Sequence, residues 1–152
     1  MNTRSTTTTT TLCVLSIIGV IVIGYLIVKK RRDHFNQQHP ILNQIRENFA
    51  KLNPRYAQIP MKVGKSSYTE DKKSITMCIQ DPETKRIYDM NTLMYVALHE
   101  LAHMISKSVS EEEHNEEFRQ NFAKLLNQAS EIGIYNPNIP IPPTYCGIHK
   151  NN

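Results

Sequence analysis

The sequence predicts a small α+β domain preceded by one transmembrane helix. Three patterns carry that prediction: an uncharged apolar run near the N-terminus, short alternating segments mid-chain, and helical periodicity on either side of them. At 152 residues, 39% hydrophobic and 21% charged, the chain can build a single core and is too apolar for disorder. Three cysteines are too few for a disulfide-stapled scaffold, so burial must supply the stability.

The net charge of +4 is unevenly placed. Residues 1–32 hold Arg4, Lys29, Lys30, Arg31 and Arg32 and no acid, while the rest of the chain holds 13 Lys and Arg against 14 Asp and Glu. The globular part is therefore near neutral, and no nucleic acid is expected as a partner.

Leu12 to Val28 contains no charged residue and as a helix would reach about 25 Å, which reads as a transmembrane span over 12–28. A short Thr-rich tail, 1–11, precedes it. The run Lys29-Lys30-Arg31-Arg32 follows it and opens a basic and polar juxtamembrane linker over 29–39. A cleaved signal peptide would carry its basic residues before the apolar run. The positive-inside rule then makes this a single-pass membrane protein with its C-terminal domain, 40–152, in the cytosol. In that reducing compartment Cys78 and Cys146 are expected as thiols.

Pro40 opens an amphipathic helix whose apolar residues Ile41, Leu42, Ile45, Phe49 and Leu52 recur at helical spacing, and Asn53-Pro54 stops it. Ile59, Met61 and Val63 alternate as in a strand, and Gly64 to Lys73 reads as a turn-rich connection. Ile75, Met77 and Ile79 form a second strand that ends at Asp81-Pro82, with Ile87-Tyr88 able to pair back. A helix follows from about Asn91 to Ser106, with Thr92, His99, His103 and Ser106 along one arc. Ser110, with Glu113 three residues on, has the signature of a capping box and starts a last helix whose inward stripe is Phe118, Phe122, Leu125 and Ala129. Gly133 ends that helix, and the Pro-rich remainder is extended.

The chemistry lies in His99-Glu100-Leu101-Ala102-His103, an HExxH pattern within the most apolar helix of the globular part. Histidines four apart project from one helix face and can bind one zinc ion, Zn²⁺. Glu100 sits one step round, too far to ligate easily but placed to take a proton from an attacking water and pass it to a leaving amine. Two histidines and a glutamate in one buried helix would otherwise each need a separate partner. A catalytic zinc site takes three protein ligands. His114 is the better candidate for the third, since counting back by four continues the stripe Phe122, Phe118, His114; Glu113 and Glu117 compete for the role. If His114 ligates, either glutamate can accept an imidazole N–H. Cys146 and His149 form a second, weaker Cys-x-x-His pair.

HELAH followed by a spacer and His114-x-x-x-Phe118 resembles the compact zincin metallopeptidases of the WLM and SprT-like type, over roughly Asn91 to Phe122. Ser106 and Val109 occupy the positions where the metzincin extension needs Gly and His, which excludes that subclass. A looser likeness is to short membrane-anchored zincin-like proteins of large DNA viruses. The resemblance implies a zincin-like domain of one helix, a short antiparallel or mixed sheet, the active-site helix and a second helix. It also implies an edge strand that pairs with a protein or peptide substrate in extended conformation, and Ser74, Ile75, Thr76, Met77, Cys78, Ile79 and Gln80 are placed for it. An oxyanion donor is expected too, for which Tyr145 is the candidate, beside a plain packing role for its ring.

The resulting expectation is a membrane-anchored zinc-dependent endopeptidase. Its rival is a catalytically silent zincin-fold module that is membrane-tethered and binds a partner; such a scaffold has no need of a carboxylate at Glu100. The action on DNA-bound proteins known for the resembling families is not expected, because the domain is near neutral and has no zinc-knuckle cysteines.

Overall fold

The structure, a computed structural model, describes residues 15–31, 38–107 and 114–146, with the backbone of 148 and 149. The Thr-rich tail, residues 12–14 of the expected span, most of the linker and the Ser110–Glu113 capping box lie outside the described residues. The chain forms two compact units, Met1–Asn36 and Gln37–Asn152.

In the first unit, residues 15–31 form helix α1. The expected transmembrane span is overturned here, because no helix among the described residues is long and apolar enough to cross a membrane. Residues 15–28 are the uncharged part of α1, about 21 Å at 1.5 Å per residue, against a hydrocarbon core of about 30 Å. Lys29, Lys30 and Arg31, expected in the linker, instead complete the helix. The single-pass membrane assignment, and the cytosolic placement derived from it, therefore do not hold.

The second unit is an α+β domain. Helix α2 (Pro40–Leu52) starts with proline at its first position, where a missing N–H costs nothing, and the His39 ring accepts the Ile41 N–H at 3.3 Å. Its Leu42, Ile45 and Phe49 are fully buried. Arg46 donates to the Met61 carbonyl at 3.0 Å and so ties α2 to the sheet. A short 3-10 turn, Tyr56–Gln58, leads into strands β1 (Met61–Val63), β2 (Tyr68–Glu70) and β3 (Ser74–Met77).

The strand order is β1-β3-β2, with β1 parallel and β2 antiparallel to β3. Met61 and Thr69 both lie opposite Ile75. Two expectations are corrected here. Gly64 to Lys73 is not only a connection, since it contains β2, which turns back through Asp71 and Lys72 at φ of 49° and 54°. Ser74–Gln80 is not an edge strand, since β3 lies between the other two. The Cys78 N–H is taken by Ser67, its carbonyl by Tyr145, and the Ile79 carbonyl by the Tyr88 N–H. Ile75, Thr76 and Met77 are all buried, so this strand is covered on both faces, as its alternation of apolar and polar residues does not suggest.

Thr76 Oγ1 is buried with no hydrogen-bond partner among the described residues. Thr76→Val keeps the shape and removes the orphaned hydroxyl, so we expect it to raise unfolding free energy by about 1 kcal/mol, read from denaturant midpoints. A Cβ at Gly64 would be driven into Thr76 Cγ2, a branched side chain with little freedom in a central strand. Gly64→Ala should cost about 1–3 kcal/mol by the same measurement.

Helix α3 (Met90–Ile105) is capped by Asp89, whose carboxylate accepts the Thr92 N–H at 2.9 Å and its hydroxyl at 2.6 Å. Leu93, Met94, Ala97, Leu98, Leu101 and Ala102 place it at the centre of the core. Helix α4 (Glu116–Glu131) packs Phe118, Leu125 and Ala129 against that core and ends at Gly133, whose φ of 72° suits glycine. Its start is Asn115, which caps Phe118 N–H at 2.9 Å, and not Ser110.

The tail returns to the sheet. Strand β4 (Thr144–Tyr145) pairs with β5 (Ile148–His149), and Cys146 is disulfide-bonded to Cys78 with Cα atoms 6.3 Å apart. The expected pair of free thiols is thus corrected, and the Cys146 sulfur is not available as a metal thiolate beside His149.

Candidate metal centre

Helix geometry sets two of the donors. His99 and His103 lie one turn apart on α3, on the side facing the start of α4, and their Nε2 atoms are 3.2 Å apart. His114 arrives from the turn just before the Asn115 cap, and its Nε2 lies 3.1 Å from that of His99. Arg119 donates to the His114 carbonyl at 2.7 Å, fixing this turn from within α4. Phe118 packs on the rings, with centroids 4.2 Å from His103, 4.6 Å from His114 and 4.9 Å from His99, and Phe122 adds a further contact to His99.

These separations test whether a metal ion fits. Two nitrogens bound tetrahedrally at about 2.0–2.1 Å stand about 3.3–3.4 Å apart, close to what is seen. Direct hydrogen bonding is a poorer account, because one ring nitrogen has a single in-plane lone pair or proton and cannot serve both neighbours. The group His99, His103 and His114 can hold a metal ion, its ligand atoms all lying within 4.8 Å of one another. Burial, with the charges of His103 and His114 adding to it, pushes His99 down to about 4, so its ring is neutral near pH 7 and keeps a lone pair for a metal. Three imidazoles crowded around one point would repel if protonated.

Of the residues competing for the third position, Glu117 accepts the Lys107 N–H at 2.8 Å, and Glu113 lies outside the described residues. His114→Ala is therefore expected to weaken metal binding by more than about 100-fold, beyond the usual cost of losing a supporting partner, while Glu117→Ala leaves it within a few-fold. Metal titration of the full chain with a competing chelator checks both.

Glu100 is buried at 6% exposure on the side of α3 turned to the sheet. The Thr69 hydroxyl lies 2.9 Å from its Oε2 and 2.8 Å from its backbone carbonyl oxygen. Thr69 was not legible as a site residue. The one signal for it is Tyr68-Thr69-Glu70 before Asp-Lys-Lys, a β-prone triplet followed by a turn.

Tyr145 donates to the Cys78 carbonyl and lies 3.0 Å from Ser67 Oγ, while its ring sits 4.8 Å from that of Tyr88. Burial pushes its hydroxyl up, and the Tyr88 and Glu100 charges raise it further against the Ser67 hydrogen bond. It thus lies within electrostatic reach of Glu100, with its proton directed at the sheet. Ser74–Met77 form the central strand β3, whereas Thr69 of the outer strand β2 hydrogen-bonds α3 at Glu100, the residue after His99.

No family model matches the chain, and no solved structure matches it. Three viral proteins are similar to it. Uncharacterized protein 136R of Invertebrate iridescent virus 6 is 36% identical over 92 residues, 59% of this chain and 50% of that protein. Uncharacterized protein 042R of Invertebrate iridescent virus 3 is 42% identical over 82 residues, 54% of this chain and 50% of the relative. Uncharacterized protein R325 of Acanthamoeba polyphaga mimivirus is 33% identical over 126 residues, 80% of this chain and 60% of the relative. The matches thus cover 50–60% of the length of these relatives.

Proposed function

We propose that this chain is a zinc-dependent endopeptidase of the zincin kind, with His99, His103 and His114 as the zinc ligands and Glu100 as general base and then general acid. One observation carries the reading: three imidazole nitrogens converge at metal-ligand spacing, with a buried carboxylate next in sequence to one of them. Three protein ligands is the number typical of catalytic zinc, whereas structural sites use four. When bound, zinc would supply Lewis acidity, making a water more acidic and a carbonyl more electrophilic.

The chain's own residues supply the rest. The three histidines set the position of the ion through rings held by Phe118, and α3 places Glu100 beside them but turned toward β2. In that place its carboxylate accepts the proton of the attacking water and returns it to the departing amine. An extended substrate is the class that suits an outer strand, and β2, not β3, is the outer strand next to α3.

The test is hydrolysis of an unfolded protein substrate by the full chain loaded with one zinc, abolished both by chelator and by His99→Ala. Zinc-loaded protein that cleaves nothing across a broad peptide library would sink the peptidase reading and favour a silent binding module.

A further inference from the structure

We infer that Thr69 is a positioning residue that sets the orientation of the Glu100 carboxylate from the neighbouring strand. The inference deepens the proposed peptidase reading and rests on it for its kinetic consequence. A carboxylate with 6% exposure has little water to solvate it, so protein donors decide where its oxygens point. Thr69 offers one proton to two oxygens of the same residue, at 2.8 and 2.9 Å. The backbone oxygen lies inside α3, where helical bonding already supplies it with an N–H from the next turn. Oε2 is a side-chain oxygen outside that helical ladder, and the hydroxyl stands within hydrogen-bond distance of it. Oε2 is thus tethered to β2, and this restrains the direction in which the whole carboxylate points.

The strand makes this restraint stiff. Thr69 is the middle residue of β2 and is in register with Ile75 of β3, so its backbone is fixed by the sheet. Its β-branch limits χ1, so the position of Oγ1 is restricted as well. Tyr68 and Glu70, on the alternate side of the strand, are exposed, which leaves Thr69 as the β2 side chain turned to α3.

Thr69→Val preserves the branched shape and removes only the donor, while Thr69→Ser restores the donor with a looser χ1. With the full chain zinc-loaded, Thr69→Val should lower kcat about 10–100-fold with KM little changed, the scale of a misplaced catalytic group, and Thr69→Ser should recover much of it. Zinc stoichiometry should stay at that of wild type. A merely structural role would lower thermal stability instead, with no such split and no rescue by serine. A second readout needs no activity: in the metal-free chain, the Glu100 side-chain carboxyl carbon signal, assigned by its loss in Glu100→Gln, should shift in Thr69→Val and return in Thr69→Ser. An unmoved signal, or an active Thr69→Val with kcat within twofold of wild type, overturns the role of Thr69. A shifted signal in a chain whose wild type cleaves nothing upholds Thr69 and overturns the peptidase reading.

Discussion

Glu100→Gln is expected to keep the fold and the zinc while lowering peptide hydrolysis by about 10²–10⁴-fold, the usual contribution of general acid–base catalysis. The reason is the division of labour within α3. The imidazoles of His99, His103 and His114 form the group that can hold a metal ion, and Glu100 is not among them. Glutamine has the same length and can still accept the Thr69 proton through its amide oxygen, so packing against β2 survives. It has no basic oxygen for the proton of water, and it cannot return one to the amine. Zinc content, circular dichroism and cleavage of an unfolded protein should be measured on the same preparation. Cleavage by Glu100→Gln at the wild-type rate would remove Glu100 from the chemistry.

The parts of this site that one helix encodes were legible in the sequence, and the parts that two distant segments build were not. His99 and His103 are neighbours by helical spacing alone, so their pairing follows from a four-residue interval. His114 was legible because Phe118 and Phe122 continue its stripe, yet it lies just before α4, since Asn115 supplies the cap. The Thr69 contact to Glu100 joins residues 31 apart and has no periodicity to betray it. Likewise, Thr76 looks outward in an alternating segment, but its strand is the central one of the sheet and is covered on both faces. Hydropathy over 12–28 suggested a span because it weighs composition, whereas the uncharged described part of α1 is too short to cross. Cys78 and Cys146 were expected as thiols because the apolar run implied a reducing compartment, whereas the return of the tail to the sheet brings them together as a disulfide.

Breaking the Cys78–Cys146 disulfide is expected to lower the unfolding free energy by about 4 kcal/mol, chiefly by freeing the unfolded chain. The two cysteines are separated by 68 residues, and the chain-entropy cost of closing a loop of that size is about 4 kcal/mol at 25 °C. The native tail has other attachments close by, which argues that it stays docked without the bond. The Cys146 N–H donates to the Tyr88 hydroxyl at 2.8 Å, Tyr88 and Tyr145 pack at 4.8 Å, and the Tyr145 hydroxyl is bonded to Ser67 and Cys78. Native-state signals from these tyrosines should therefore change little while stability falls. Denaturant unfolding of the metal-free full chain, with and without a dithiol reductant, measures the difference, and a Cys78→Ala/Cys146→Ala double variant controls for the reagent. A loss below about 1 kcal/mol in both would mean that the unfolded chain is already compact enough for the cross-link to matter little. A full loss of the near-ultraviolet tyrosine signal before unfolding would mean instead that the disulfide, and not the tyrosine contacts, holds the tail to the sheet.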